Sequence, residues 1–245
     1  MKKLIPVLIA LLMCCPVLAE ENTGTFIHAD PFFENDNNRL LYLDCVKKCD
    51  YQKLELLCDE YIENNSLSPD DPIISMNEVL HGIDFSMIDV VEDAFDGVYT
   101  LYHVGCNEIS DSVHIYLHRD SKSTTIFLTV GFIKEDGWFF ADEVVIKKFG
   151  DNDADGVWFW DQDFDRETLG GQSVKESLTH SIFISDAQYL SGLSTEDQVG
   201  IRFKNSEHNN FDIILSNEEI SALSETANFF IAIDQIDSIR ASMNS

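Results

Sequence analysis

The chain is 245 residues long and sets 44 aspartates and glutamates against 16 lysines and arginines, a formal net charge of −28 at neutral pH. A surface this acidic repels nucleic acid and anionic lipid and has no basic patch for phosphates, which excludes nucleic-acid binding and leaves basic partners or cations open. Hydrophobic residues make up 44% of the chain and phenylalanine alone fills 17 positions, which argues for a packed core rather than disorder.

The opening MKKLIPVLIALLMCCPVLAEE has the parts of a bacterial-type secretory signal peptide. Lys2 and Lys3 are its basic start, Leu4 to Cys15 its apolar core, and Val17-Leu18-Ala19 a small-residue cleavage site. Cleavage after Ala19 would leave a soluble, exported product in the periplasm or beyond. Its charge moves from −28 to −30, because two lysines leave with the leader. A lipid anchor at Cys14 or Cys15 is the minor alternative, since Met13 and Cys14 stand where Gly, Ala or Ser is wanted. No later run reaches the roughly 20 apolar residues of a spanning helix.

Residues 20–37 form a polar lead-in broken by Phe32-Phe33. From Asn38 the pattern turns helical, breaks at Cys49-Asp50 and resumes. Leu54, Leu57, Cys58, Tyr61 and Ile62 recur at spacings of three and four, with Asp50 as N-cap. Pro69 and Pro72 close the unit. The stretch CVKKCDYQKLELLCDEYIENNSLSPDDP resembles a tetratricopeptide helix-turn-helix over residues 38–69. Tyr51 matches the turn tyrosine, and Leu54 and Cys58 match inward positions of the second helix. Cys49 departs from the usual turn glycine, and Leu54 from a small packing residue. Residues 77–95 suggest a second, degenerate helical hairpin around Gly82. A solenoid core usually needs at least three repeats, so residues 20–97 read as a small helical subdomain.

Four cysteines follow the leader, Cys45, Cys49, Cys58 and Cys106, and permit three disulfide connectivities. The resemblance sets Cys45 opposite Cys58 across the hairpin and implies that bridge, with Cys49 and Cys106 as a possible second pair. The hairpin's own register objects mildly, because Cys58 lies about one turn farther from the bend.

After Asp96-Gly97 the period falls to two. Strands are predicted at 98–104, 113–118, 124–133, 138–149, 157–162, 177–184, 198–204 and in FDIILS, with KEDG (134–137) as a hairpin turn and 163–173 as a loop. A short helix falls around DAQYLSGL. Ser216 and Glu219 form a capping box for a last helix, 217 to about 236, and 237–245 is a tail. The class is α+β: helices first, then a largely antiparallel sheet domain (98–236) with the terminal helix packed on it.

In FGDNDADGVWFWDQDFD, Asp151, Asp153, Asp155 and Gly156 match the first half of an EF-hand loop. Gln162 stands where a bidentate glutamate should be, and both flanks are strand-like. Two readings stand: a solvated hairpin turn, which the flanks favour, and a weak calcium site with affinity on the order of 10⁻⁴–10⁻³ M. No other cofactor is implied. His114 and His118 lie on a predicted strand, where their side chains stand roughly 13 Å apart, too far for one metal. The aromatics of WFF and VWFW fit a core better than a sugar platform.

No G-x-S-x-G, phosphate-binding loop or dinucleotide fingerprint occurs. The expectation is a non-catalytic exported module that binds a protein partner or envelope component. The alternatives are an exported hydrolase using a carboxylate pair, and a calcium-binding envelope or adhesion protein.

Overall fold

The computed structural model describes residues 32, 35–104, 112–120, 123–150 and 155–243. Helices α1 (Asp36–Lys47), α2 (Tyr51–Asn64) and α3 (Pro72–His81) come first. Each opens on an Asx cap: Asn35, Asp50 and Asp71 accept from the N–H groups of Asn37, Lys53 and Ile73. These bonds satisfy donors that a first turn leaves open. The α1–α2 turn falls at Cys49-Asp50 as expected, with Cys49 in the left-handed region at φ 56°.

Strands β1 (Ile88–Asp93), β2 (Val98–His103), β3 (Val113–Arg119) and β4 (Thr124–Lys134) follow in one antiparallel run. The chain then crosses to a second sheet for β5 (Ala141–Lys148) and β6 (Val157–Phe159), and returns to the first as the hairpin β7 (Asp165–Gly170) and β8 (Ser173–Ile182). After α4 (Ile184–Ser191), strands β9 (Val199–Asn205) and β10 (Asn210–Ile214) complete the second sheet, and α5 (Asn217–Met243) ends the fold. The orders are β1-β2-β3-β4-β8-β7 and β10-β9-β5-β6, antiparallel throughout. The α+β class holds, with the terminal helix on the sheet.

One face of the first sheet carries the core. Leu101, Ile115, Leu117, Ile126 and Leu128 alternate inward and are buried. Helix α5 covers β2 to β4, and α3 packs beside it. The second sheet covers the far end, where Phe132 meets Phe203 at 4.7 Å and Phe211 at 4.9 Å. The buried residues of α1–α3 and of both sheets form one continuous core.

Several expectations change. Residues 77–95 are not a second helical hairpin: α3 ends at His81, and the β-branched run after it becomes β1, paired with β2. Pro72 opens α3 at its first turn, where a missing N–H costs nothing. Residues 163–173 are not a loop but β7 and its turn into β8. Every β7 residue is exposed at the sheet edge, so no apolar alternation marks it. The capping box holds, with Glu219 N–H on Ser216 Oγ at 3.2 Å and Ser216 N–H on Glu219 Oε2 at 2.8 Å. The helix runs past 236 to Met243, because Ile236 and Met243 continue its buried stripe.

KEDG is not a hairpin turn either, since β4 and β5 lie in different sheets. The crossing is held by Glu176 of β8, which is 0% exposed. Its Oε1 accepts from the N–H groups of Phe139 and Phe140 at 2.7 and 2.8 Å, and its Oε2 from Ala141 N–H at 2.9 Å. Arg166 Nε adds a contact at 3.4 Å and its Nη2 donates to Ala141 O at 2.9 Å. Glu176→Ala should therefore lower unfolding free energy by about 3–5 kcal/mol, the cost of stripping a buried charge network of one member. Urea denaturation checks this; a loss under about 1 kcal/mol, the size of an ordinary surface change, contradicts it.

Candidate functional site

A groove of about 1150 Å³ lies between α3 and α5. Helix α3 presents Ser75, Glu78, Val79 and Gly82 to it, spaced i, i+3, i+4 and i+7, which is one helical face. Helix α5 presents Glu225, Asn228, Phe229, Ala232, Gln235 and Ile239, again one face. The segment leaving α3 closes one end with Ile83, Met87 and Ile88. The floor is apolar and the lining carboxylates are Glu78, Asp84 and Glu225, with no lysine or arginine among the lining residues. A smaller hollow of about 410 Å³ adjoins it, sharing Ile88 and Phe229.

Both walls are tied in place. Arg119 of β3, buried, makes a two-pronged pair with Asp237 of α5 at 3.0 and 3.1 Å, which fixes the rotation of that helix on the sheet. On the other wall, Asp59 of α2 accepts from Asn77 Nδ2 at 2.8 Å and meets His81 Nε2 at 2.9 Å, while His81 Nδ1 lies 3.2 Å from Glu55. The Asp59 bond holds His81 above its ordinary value, and bonds from His81 and Asn77 hold Asp59 below its own.

Ser221, Glu225 and His103 have the composition of a hydrolytic triad but the wrong order. Ser221 Oγ donates to Glu225 Oε1, and His103 Nε2 meets Glu225 Oε2 at 2.9 Å. The carboxylate stands in the middle, so no imidazole reaches the hydroxyl to take its proton. The arrangement positions Glu225 and leaves it an acceptor facing the groove.

Of the residues singled out in the sequence, Asp151, Asp153 and Cys106 lie outside the described residues, as does the leader. Asp155 is exposed at the entry to β6. Strands β5 and β6 pair on either side, so the calcium candidate sits on a strand-to-strand connection, not between helices. Among the described residues no group of three potential ligands gathers at a metal distance. Among the described residues Cys45, Cys49 and Cys58 are free, buried thiols, and the bridge from Cys45 to Cys58 is not present; the pair of Cys49 with Cys106 involves a residue outside those described. Burial pushes all three up, Cys49 and Cys58 to about 12, so they stay protonated inside the helical core. His114 and His118 lie on β3, on the face turned away from α5, where burial lowers His114.

The aromatics divide. Phe159 is core, but Trp160 is 57% exposed and stacks on Trp158 at 5.3 Å, and Phe140 is 58% exposed. Sequence reasoning does not reach the groove, because it places residues 77–95 in a separate helical hairpin. The i, i+3, i+4, i+7 face of residues 75–82 was the available signal.

The fold is α+β with a helix-walled groove, and no helix among the described residues is long and apolar enough to cross a membrane. Compared with family models, curated proteins and solved structures, the chain matches none.

The clasp on α3 is pH-dependent. The raised His81 contributes fully below its ordinary value of 6.5 and loses that contribution as pH rises through its folded value. The lowered Asp59 contributes above 3.8 and loses it as pH falls. Between those limits the clasp is strongest. The melting temperature of the native protein should exceed that of His81→Asn by more at pH 5.5 than at pH 8.5. An equal gap at both would show that the pair does not hold α3.

Proposed function

We propose that this chain is an exported, non-catalytic binding protein that takes a segment of a protein partner into the groove between α3 and α5. The observation that carries the reading is the groove's form: two helical faces flanking an apolar floor, about 1150 Å³ in extent. Small-molecule pockets run roughly 300–1,000 Å³. Export rests on the leader-like opening of the sequence.

The hydrolase reading finds one observation in its favour, three carboxylates lining a single cleft. Their engagement speaks for binding instead. Asp84 accepts from Ser86 through its hydroxyl at 2.6 Å and its N–H at 3.0 Å, and these bonds hold it below the ordinary carboxylate range, which makes a poor general acid. Glu225 is occupied by Ser221 and His103. A calcium-dependent envelope role depends on Asp151 and Asp153, outside the described residues.

A photo-crosslinking amino acid at Gln235, in the groove, tests the reading against the same probe at Glu167, on the exposed edge of β7. In cells of the native host, the Gln235 probe should give a discrete protein adduct that Ile231→Lys removes, and the Glu167 probe should not. Equal adducts from both positions, or none from Gln235, would overturn the assignment of the groove.

A further inference from the structure

Resting on that reading, we infer that the occupant is a cationic amphipathic helix of about 14 residues laid along α5. Its length follows from the wall. The groove-facing residues of α5 run from Glu225 to Ile239, about 21 Å at 1.5 Å per residue, and a helix of equal span has about 14 residues. Its conformation follows from the shape. Two helices side by side leave a trough between ridges of i, i+3 and i+4 side chains, and the ridges of a third helix fill such a trough.

Its chemistry follows from the lining. Val79, Ile83, Met87, Ile231 and Ile239 are half-buried in the groove, awaiting an apolar stripe, and Met87 can adjust to differing side chains. Around them stand Glu78, Asp84 and Glu225 with no lining cation, so lysines or arginines beside the stripe complete the match. Glu225 is already oriented by Ser221 and His103, which lowers the ordering cost of an ion pair there. The chain's net charge of −28 steers such a helix inward, and sets two copies of this chain against each other as partners.

The test uses the native full-length protein and three labelled 18-residue peptides, read by fluorescence anisotropy at physiological salt. One carries leucine and lysine in an amphipathic helical pattern. The second replaces leucine by serine at the same charge, and the third replaces lysine by glutamate. The leucine–lysine peptide should bind at least tenfold more tightly than the other two. Its affinity should fall at least tenfold in Ile231→Lys and in the combined Glu78→Gln, Asp84→Asn, Glu225→Gln variant, each checked for native circular dichroism. Neutralising Asp165 and Glu167 on β7 should leave it unchanged. If the serine peptide binds as well, or the β7 changes cost as much, attraction is diffuse and the inference fails. If the leucine–glutamate peptide binds best and Ile231→Lys abolishes it, the groove stands and the cationic partner falls. If Ile231→Lys alters no peptide, the groove itself is wrong. Sedimentation as a dimer that Ile231→Lys disperses would assign the groove to a second copy instead.

Discussion

A buried carboxylate governs how the two sheets meet. Where the chain enters the second sheet, the three consecutive N–H groups of Phe139, Phe140 and Ala141 turn toward β8, and a buried unpaired donor is costly. Glu176 accepts all three while Arg166 balances its charge and ties itself to Ala141. Phe140 is thereby kept in the left-handed region at φ 58°, a conformation that costs a non-glycine residue about 1–3 kcal/mol unless its surroundings impose it. With that corner fixed, Phe132 of the first sheet is set against Phe203 and Phe211 of the second, and the aromatic wedge between the sheets closes.

The second constraint is rotational. Burial of its apolar stripe sets which side of a helix meets a sheet, but non-directional contacts fix the finer rotation only loosely. The Arg119–Asp237 pair removes that freedom, because a guanidinium and a carboxylate bond in two parallel prongs only in one orientation. In that orientation Asn228, Ala232 and Gln235 line the groove beside α3, and Glu225 reaches its edge. Two polar devices, one on each wall, therefore reinforce the placement that apolar packing gives these helices.

The sequence disclosed what periodicity discloses. Helices α1 and α2, their turn at Cys49-Asp50, most strands and the cap at Ser216 were legible because each has a local cause: a stripe, an alternation, a hydroxyl three residues before a glutamate. Strand β7 was not, since a strand exposed on every residue has no pattern to show. The crossing after β4 was not, because Lys134–Gly137 has the composition of a hairpin turn, and only the distant Glu176 sends the chain elsewhere. The thiols misled for a related reason. An even number of cysteines and the tetratricopeptide resemblance favour a bridge, whereas Cys45, Cys49 and Cys58 are used as small apolar groups in the core.

Helix α5 carries the clearest statement about function. A helix on a protein surface ordinarily shows one apolar stripe and one polar face, and a helix apolar around most of its girth is built to be covered on more than one side. Over its 27 residues α5 buries Ile220, Leu223, Ala227, Phe230, Ile233 and Ile236, the sheet covering one side and α3 and α4 packing alongside. Ile231 and Ile239 remain half-covered on the groove side, next to Val79, Ile83 and Met87. Val79, Ile83, Ile231 and Ile239 pack against the core on one side and leave apolar surface in a trough lined by Glu78, Asp84 and Glu225 on the other. The proposed occupant would cover that surface with an apolar stripe and meet its carboxylates with the opposite charge.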